Sequence, residues 1–306
     1  MYLNFVKHLA TTLLSFFFAT GLLQAKELPL LPSQGYLPFD PAHAIKLTDS
    51  KALNTLFLQQ GYTKDLLATK DAIPPLLVIN LPKDLNQQPV NEKVSLFIRL
   101  LLPNVLAVNA QITKVRNEVV QLKSKATPSL SAAEQDWLKA LLAHYSINTE
   151  VNQSNLAQLL LQLDTYPVGM VMAQGIDESG WGTSYFALAG NALYGQHNPR
   201  GRKQFLTARN ADVKVAAFDS LFQSTAGYMY NLNTGRAYKD LRELRAQLRR
   251  DNKLTGYALI EGLVNYSSRG SAYIDDLRQL ISQHELDSLN DKELKQEAVK
   301  AIKFRP

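Results

Sequence analysis

Apolar side chains that recur every three or four residues most constrain what this chain can fold into. In the stretch from residue 91 to residue 125 they are Val105, Val108, Ile112, Val115, Val119 and Leu122. Because an α-helix has about 3.6 residues per turn, this spacing predicts one apolar face of an amphipathic helix. Pro103 is a point at which that helix could break. A second helix is predicted to follow the capping box formed by Ser131 and Glu134.

The second half of the chain is also predicted to be helical, with one β-hairpin inserted. Helices are expected at residues 155–163, 168–177, 219–232, 236–250, 254–265 and 273–284. Between them, the short apolar runs KQFLT and VKVAAF flank the turn-like segment ARNAD, a pattern typical of two antiparallel strands. We therefore expect an α+β fold that is predominantly helical and carries a small β-hairpin lobe.

The composition changes along the chain divide it into four expected segments. Residues 1–25 have a basic start, an apolar run and the small residue Ala25, which is typical of a secretory signal. Residues 26–150 are expected to be a proline-rich linker followed by a helical region. Residues 151–286 would form the functional domain and residues 287–306 a charged C-terminal tail. Retention of the signal as a membrane anchor is the alternative to its cleavage.

The composition also limits the chemistry. The chain has no cysteine, which excludes disulfides and thiolate catalysis, and its five histidines do not show the spacing of a zinc site. We therefore expect no metal and no cofactor. The net charge of +6 suits a polyanionic partner such as the bacterial cell wall, or solubility alone. Without a recognition motif we do not expect a nucleic-acid partner, and the stripe of Arg242, Arg245 and Arg249 is expected to face solvent.

The run AQGIDESGWG suggests an acid catalyst at the end of an apolar helix. Glu178 would lie at the carbonyl end of the helix dipole among apolar neighbours, and both conditions disfavour the ionised carboxylate. A carboxyl group that keeps its proton near neutral pH can act as a general acid. Gly180 and Gly182 would let the chain turn sharply there. Asp177 points about 100° away around the helix and is expected to make a structural hydrogen bond.

The longer run AQGIDESGWGTSYFALAGNALYGQ resembles the signature of the bacterial glucosaminidases of glycoside hydrolase family 73. Glu178 takes the place of the catalytic acid of that family. The segments FDSLFQSTAGYMYNLNTGRAYKDLR and NYSSRGSAYIDDLRQLI are similar to later parts of the family pattern, with Tyr266 and Tyr273 in its aromatic positions. The resemblance spans residues 150–286 and is greatest to the Bax-type members, which have a helical N-terminal extension.

This resemblance implies a lysozyme-like fold and cleavage of β-1,4 bonds after N-acetylglucosamine in peptidoglycan, in the manner of an endo-β-N-acetylglucosaminidase. From the signal segment we expect export to the periplasm or cell envelope, and we expect a monomer. An amidase that cuts the glycan–peptide bond and an inactive glycan-binding protein are the alternatives. The candidate catalytic residues are Glu178, Tyr273 and Asp212. Asp212 would be the second acid, unless the 2-acetamido oxygen of the substrate attacks instead. Because sugar rings pack on aromatic faces, the candidate substrate-binding residues are Trp181, Tyr194, Tyr228 and Tyr266, together with Gln196.

Overall fold

The computed structural model describes residues 27–125, 129–196, 204–207, 214–264 and 266–305. The expected signal segment and the candidate second acid Asp212 lie outside the described residues. The helices and strands, in chain order, are β1 (Ile45–Leu47), α1 (Ser50–Gln59), β2 (Leu76–Val78), α2 (Val90–Ser124), α3 (Ala132–His144), α4 (Gln153–Gln162), α5 (Val168–Ser179), α6 (Tyr185–Gly190), β3 (Phe205–Thr207), β4 (Lys214–Ala216), α7 (Leu221–Thr234), α8 (Lys239–Arg250), α9 (Gly256–Leu259), α10 (Ser271–Gln283) and β5 (Lys300–Phe304).

The long helix α2 is the central element of the core. It continues through Pro103 without a break, and every residue from Leu96 to Val108 is buried. Contacts with α4, α5, α7 and β2 surround it, and this packing compensates for the hydrogen bond that the proline removes. The helix is long and apolar enough to cross a bilayer, but 83% of its apolar window is buried inside the protein, as in the core helix of a soluble domain.

One apolar core joins the two halves of the chain. A single cluster of buried side chains includes residues from both sides of residue 150, from Leu31 to Phe304. The expected boundary near residue 150 therefore does not separate two cores. The proline-rich segment packs against this core and is not a free linker. Leu31 is buried there, and the indole of Trp137 donates a hydrogen bond of 2.9 Å to the carbonyl of Pro29.

Two small sheets complete the α+β fold. The strands β3 and β4 pair antiparallel with Phe205 opposite Ala216, which confirms the predicted hairpin. The second sheet is parallel, with β5 between β1 and β2 and Ile302 opposite both Ile45 and Val78. Residues expected to form a charged tail therefore include a central strand. Its apolar side chains are buried, while its lysines face outward.

Two of the three arginines of the α8 stripe do not face solvent as expected, while Arg249 is exposed. Arg245 is fully buried and Arg242 is 7% exposed, and both guanidinium groups donate to backbone carbonyls left open at the ends of α4 and α7. Arg249 pairs with the carboxylate of Asp164 at 3.1 Å. These hydrogen bonds fix α8 against α4 and α7, and α7 lines the groove described below.

Candidate active site

The helix α5 carries Glu178 in its last turn. Almost all of its other residues are buried, and Gly180 ends it in the left-handed conformation that favours glycine. Glu178 is half-buried and opens onto a groove of about 650 Å³. The other walls of this groove include Gly195, Gln196, Tyr238 and Tyr266, and a face of α7.

A chain of buried hydrogen bonds leads to the Glu178 carboxyl group. Tyr273 donates from its hydroxyl to Oε1 of Glu178 at 2.9 Å, and it accepts a hydrogen bond of 2.9 Å from Nε2 of Gln174. The hydroxyl of Tyr228 in turn donates to Oε1 of Gln174. Tyr273, a candidate catalytic residue, thus contacts Glu178 directly. Gln174 was not predicted, although it lies four residues before Glu178 and hence on the same face of the helix.

Burial is the main reason that the pKa of Glu178 is raised above its ordinary value. The neighbouring carboxylate of Asp177 raises this pKa further, while the Tyr273 hydrogen bond and the positive charge of Arg269 lower it. The raising effects exceed the lowering ones, so the carboxyl group keeps its proton to a higher pH than an exposed glutamate does. This is the protonation state that the sequence predicted for a general acid.

Asp177 has the structural role expected of it. Its carboxylate pairs with the guanidinium of Arg269, which also binds Asp276 at 3.0 Å. The same guanidinium lies 4.7 Å above the ring centroid of Tyr273. Arg269 therefore packs on the tyrosine that donates to Glu178 and holds the Asp177 carboxylate in an ion pair.

The structure divides the candidate aromatic residues into two groups. Tyr266 lines the groove and stacks on Tyr273 with ring centroids 5.7 Å apart, which agrees with its expected role. Tyr194 and Tyr228 are at most 1% exposed and stack on each other at 4.2 Å behind that wall. Their buried rings cannot contact a sugar, so they do not form subsite walls as expected.

Trp181 also differs from its expected role. It does not line the groove, because the tight turn after α5 places its ring against Phe97 of α2 and against His284, with centroids 6.0 and 5.0 Å away. Gln196 does line the groove, where its side-chain amide donates to the carbonyl of Gly227 at 3.2 Å.

Helix α7 and the segment that follows it supply groove residues that were not predicted. Tyr230, Asn231 and Thr234 face the groove from α7, and Tyr238 follows from the next turn. Within α7, Thr234 follows Asn231 and Tyr230 by three and four residues, and this spacing is the signal that could have identified them, since such residues share one helical face. They give the groove an aromatic and amide lining, which suits the hydroxyl and acetamido groups of a sugar.

Gly195 allows the chain to pass close to the catalytic carboxyl group. Its backbone φ is +57°, and a Cβ atom added there would lie 2.7 Å from Oε2 of Glu178. That distance is shorter than any ordinary contact, so only glycine leaves Oε2 in its present place.

Glu178 supplies the one carboxyl group among the described residues that line this groove. Asp212, the candidate second acid, cannot be placed because it lies outside the described residues. Within the part of the chain that the structure covers, no group of three or more histidine, aspartate or glutamate side chains could hold a metal ion.

Comparisons with known proteins show what this chain is similar to. A family model described as glucosaminidase, mannosyl-glycoprotein endo-β-N-acetylglucosaminidase, matches residues 154–286. Protein bax of Escherichia coli (strain K12) is 35% identical over 201 residues, which are 61% of this chain and 71% of that protein. The catalytic domain of the autolysin Auto from Listeria monocytogenes is similar at a TM-score of 0.32 and 17% identity, over 57% of this chain and 96% of that one. By its identity to Protein bax and by the matched family model, the chain belongs to the glucosaminidase family of glycoside hydrolases, among its Bax-type members.

Proposed function

We propose that this protein is an exported endo-β-N-acetylglucosaminidase that hydrolyses β-1,4 bonds after N-acetylglucosamine in peptidoglycan, with Glu178 as general acid. One observation carries the proposal: the raised pKa of a half-buried Glu178 carboxyl at the floor of an open groove. Family membership supports the glycosidase class, and the basic net charge of +6 suits an anionic cell-wall polymer.

The hydrogen bond from Tyr273 determines which oxygen of Glu178 carries the proton. Because Oε1 accepts that hydrogen bond, the proton resides on Oε2, the oxygen beside Gly195. In the proposed reaction Oε2–H protonates the bridging oxygen, and the bond from this oxygen to the anomeric carbon breaks with its electron pair on the leaving hydroxyl. Water then supplies a hydroxyl group to the anomeric carbon and returns a proton to Glu178.

Two groups are candidates for stabilising or attacking the anomeric carbon. One is the carboxylate of Asp212, and the other is the 2-acetamido oxygen of the substrate. The substitution Asp212→Asn separates the two routes, because it removes the nucleophile or base of the first and leaves the second intact. A loss of at least about a hundredfold in rate would support the first route, and an unchanged rate would support the second.

Analysis of the ends created in purified peptidoglycan tests the proposed activity. We expect new reducing ends of N-acetylglucosamine from the wild-type protein. Free amino groups would indicate an amidase instead, and the absence of any new end would indicate a binding protein.

The variant Glu178→Gln tests the assigned acid in the same assay. We expect it to lose cleavage and to keep binding to peptidoglycan, since the amide preserves the shape of the side chain but cannot donate the proton. The exposed Glu243, which pairs with Lys239 on α8, provides the matched control Glu243→Gln. If Glu178→Gln cleaved peptidoglycan as fast as this control, the assignment would be wrong.

A further inference from the structure

A second compartment of about 520 Å³ adjoins the active-site groove. The two share Gly227 and Tyr230 in their walls. Its other walls come from the base of the β-hairpin, through Gln204 and Asp219, and from the N-terminal segment, through Ser33. The catalytic helix α5 contributes nothing to it among the described residues.

One face of α7 runs along the side of both spaces. Gln223 and Ala226 face the second compartment, Gly227 and Tyr230 face both, and Thr234 faces the active-site groove. These residues recur at three- and four-residue steps, so they form a single stripe on the helix. From Gln223 to Thr234 this stripe is about 16 Å long, at 1.5 Å per residue. The two spaces therefore lie side by side along α7, with the second farther from Glu178.

Hydrogen bonds and ring packing position the N-terminal wall of the second compartment. Ser33 lies in the short 3-10 helix Pro32–Gln34, and its hydroxyl is 2.9 Å from Nε2 of His144. The His144 ring packs against the ring of Tyr230 at 4.6 Å, and the Tyr230 hydroxyl donates to the His144 carbonyl at 2.6 Å. The wall is thus connected directly to the tyrosine that the two spaces share.

We propose that this second compartment binds a further N-acetylated sugar of the glycan strand, and that the N-terminal segment is therefore a substrate-binding element. Ser33, Gln204 and Gln223 offer neutral hydroxyl and amide groups, and Tyr230 offers an aromatic ring, which together suit a sugar. The charged side chain among the described lining residues is Asp219, which would repel the carboxylates of a peptide stem. The lining therefore favours sugar over peptide.

This inference rests on the proposed function, and its consequence is a preference for long glycan strands. A strand that fills both spaces gains contacts that a short strand at Glu178 cannot make. One wall of the compartment, through Ser33, comes from residues N-terminal to the matched family region, which begins at residue 154, and the other named lining residues lie within that region.

Binding of peptide-free glycan strands of two lengths tests the inference. The affinities of a tetrasaccharide and an octasaccharide prepared from peptidoglycan are measured with full-length Glu178→Gln protein, which prevents turnover. Adding Ser33→Trp fills the compartment, and we expect it to weaken octasaccharide binding about tenfold, or about 1.4 kcal/mol. Tetrasaccharide binding should be unchanged. The control is Ser282→Trp, a serine exposed on α10.

The outcomes separate this inference from the proposed function. Equal affinity for both strands, or an equal loss for both with Ser33→Trp, would overturn the inference while the proposed function stands. Failure of every variant to bind either strand, together with no cleavage by the wild type, would overturn both. Should Ser33→Trp not fold, Gln204→Ala changes an exposed side chain of the same compartment and should weaken only the octasaccharide. Unchanged octasaccharide binding in that variant would count against the inference.

Discussion

The substitution Gly195→Ala should displace the proton-bearing oxygen of Glu178 without unfolding the protein. The added Cβ would lie 2.7 Å from Oε2, whereas Cβ contacts under 3.0 Å are essentially never seen and ordinary ones begin at 3.4 Å. The carboxyl must therefore move, and reaching an ordinary contact takes a shift of about 0.7 Å. It can do so because it is the end of a flexible side chain. A displacement near 1 Å at a reacting group can lower the rate by about a hundredfold, so we expect a loss of about tenfold to a hundredfold.

Gly61→Ala is a matched control for this experiment. Gly61 also has a positive φ, +68°, but a Cβ there would meet nothing within 4 Å. Both variants should lose about 1 kcal/mol of unfolding free energy, since an L-residue is strained in the left-handed region. Only Gly195→Ala should lose activity. The assay is the initial rate of reducing-end release from peptidoglycan, with thermal unfolding measured in parallel. Equal rates for the two variants would refute the reasoning.

Three further substitutions test the surroundings of Glu178. Tyr273→Phe removes a hydrogen bond that lowers the Glu178 pKa, so the alkaline limb of the pH–rate profile should move to higher pH. It also leaves Nε2 of Gln174 without its acceptor, which should cost about 1–3 kcal/mol in a denaturant titration. Arg269→Gln removes a nearby positive charge and frees Asp177, and both changes raise the Glu178 pKa. The alkaline limb of the pH–rate profile of this variant should therefore also move to higher pH. A shift to lower pH in either variant would contradict this electrostatic assignment. Tyr194→Phe removes a buried hydrogen bond to Thr225 and should cost about 1 kcal/mol of stability with an unchanged rate; a slower rate would show that Tyr194 acts in the site after all.

The local pattern of the chain was sufficient to predict Glu178 and its immediate setting. The apolar run, the acid and the two glycines determine where α5 ends, and the capping box at Ser131 and Glu134 determines where α3 begins. The hairpin followed from two short apolar runs and a turn. Each of these features depends on residues close together in sequence.

Features that depend on distant residues could not be predicted in this way. Four tyrosines were candidates for the groove, but whether a tyrosine faces the groove or the core depends on which helix lies against it. Tyr194 and Tyr228 are buried in the core, while Tyr266 lines the groove. Tyr273 is also buried, and it donates a hydrogen bond to Glu178. Likewise, Arg242 and Arg245 of α8 are buried because α7 and α4 present open carbonyls to them.

The parallel sheet gives the clearest case of a long-range feature. Ile302 pairs with residues more than two hundred positions earlier, and the short segment KAIKF does not show the strict alternation of apolar and polar residues that would predict a strand. Charged residues made this end of the chain resemble a solvated tail. Only the two N-terminal strands beside it make its apolar side chains part of the core.

A carbon-detected NMR titration of the Glu178 carboxyl, assigned by the signal missing in Glu178→Gln, tests the central claim most directly. We expect its midpoint to lie above the ordinary glutamate value of 4.5, because burial in the groove floor disfavours the ionised form. The midpoint should coincide with the alkaline limb of the rate of the free enzyme. A midpoint at or below 4.5 would contradict the assignment of Glu178 as the general acid.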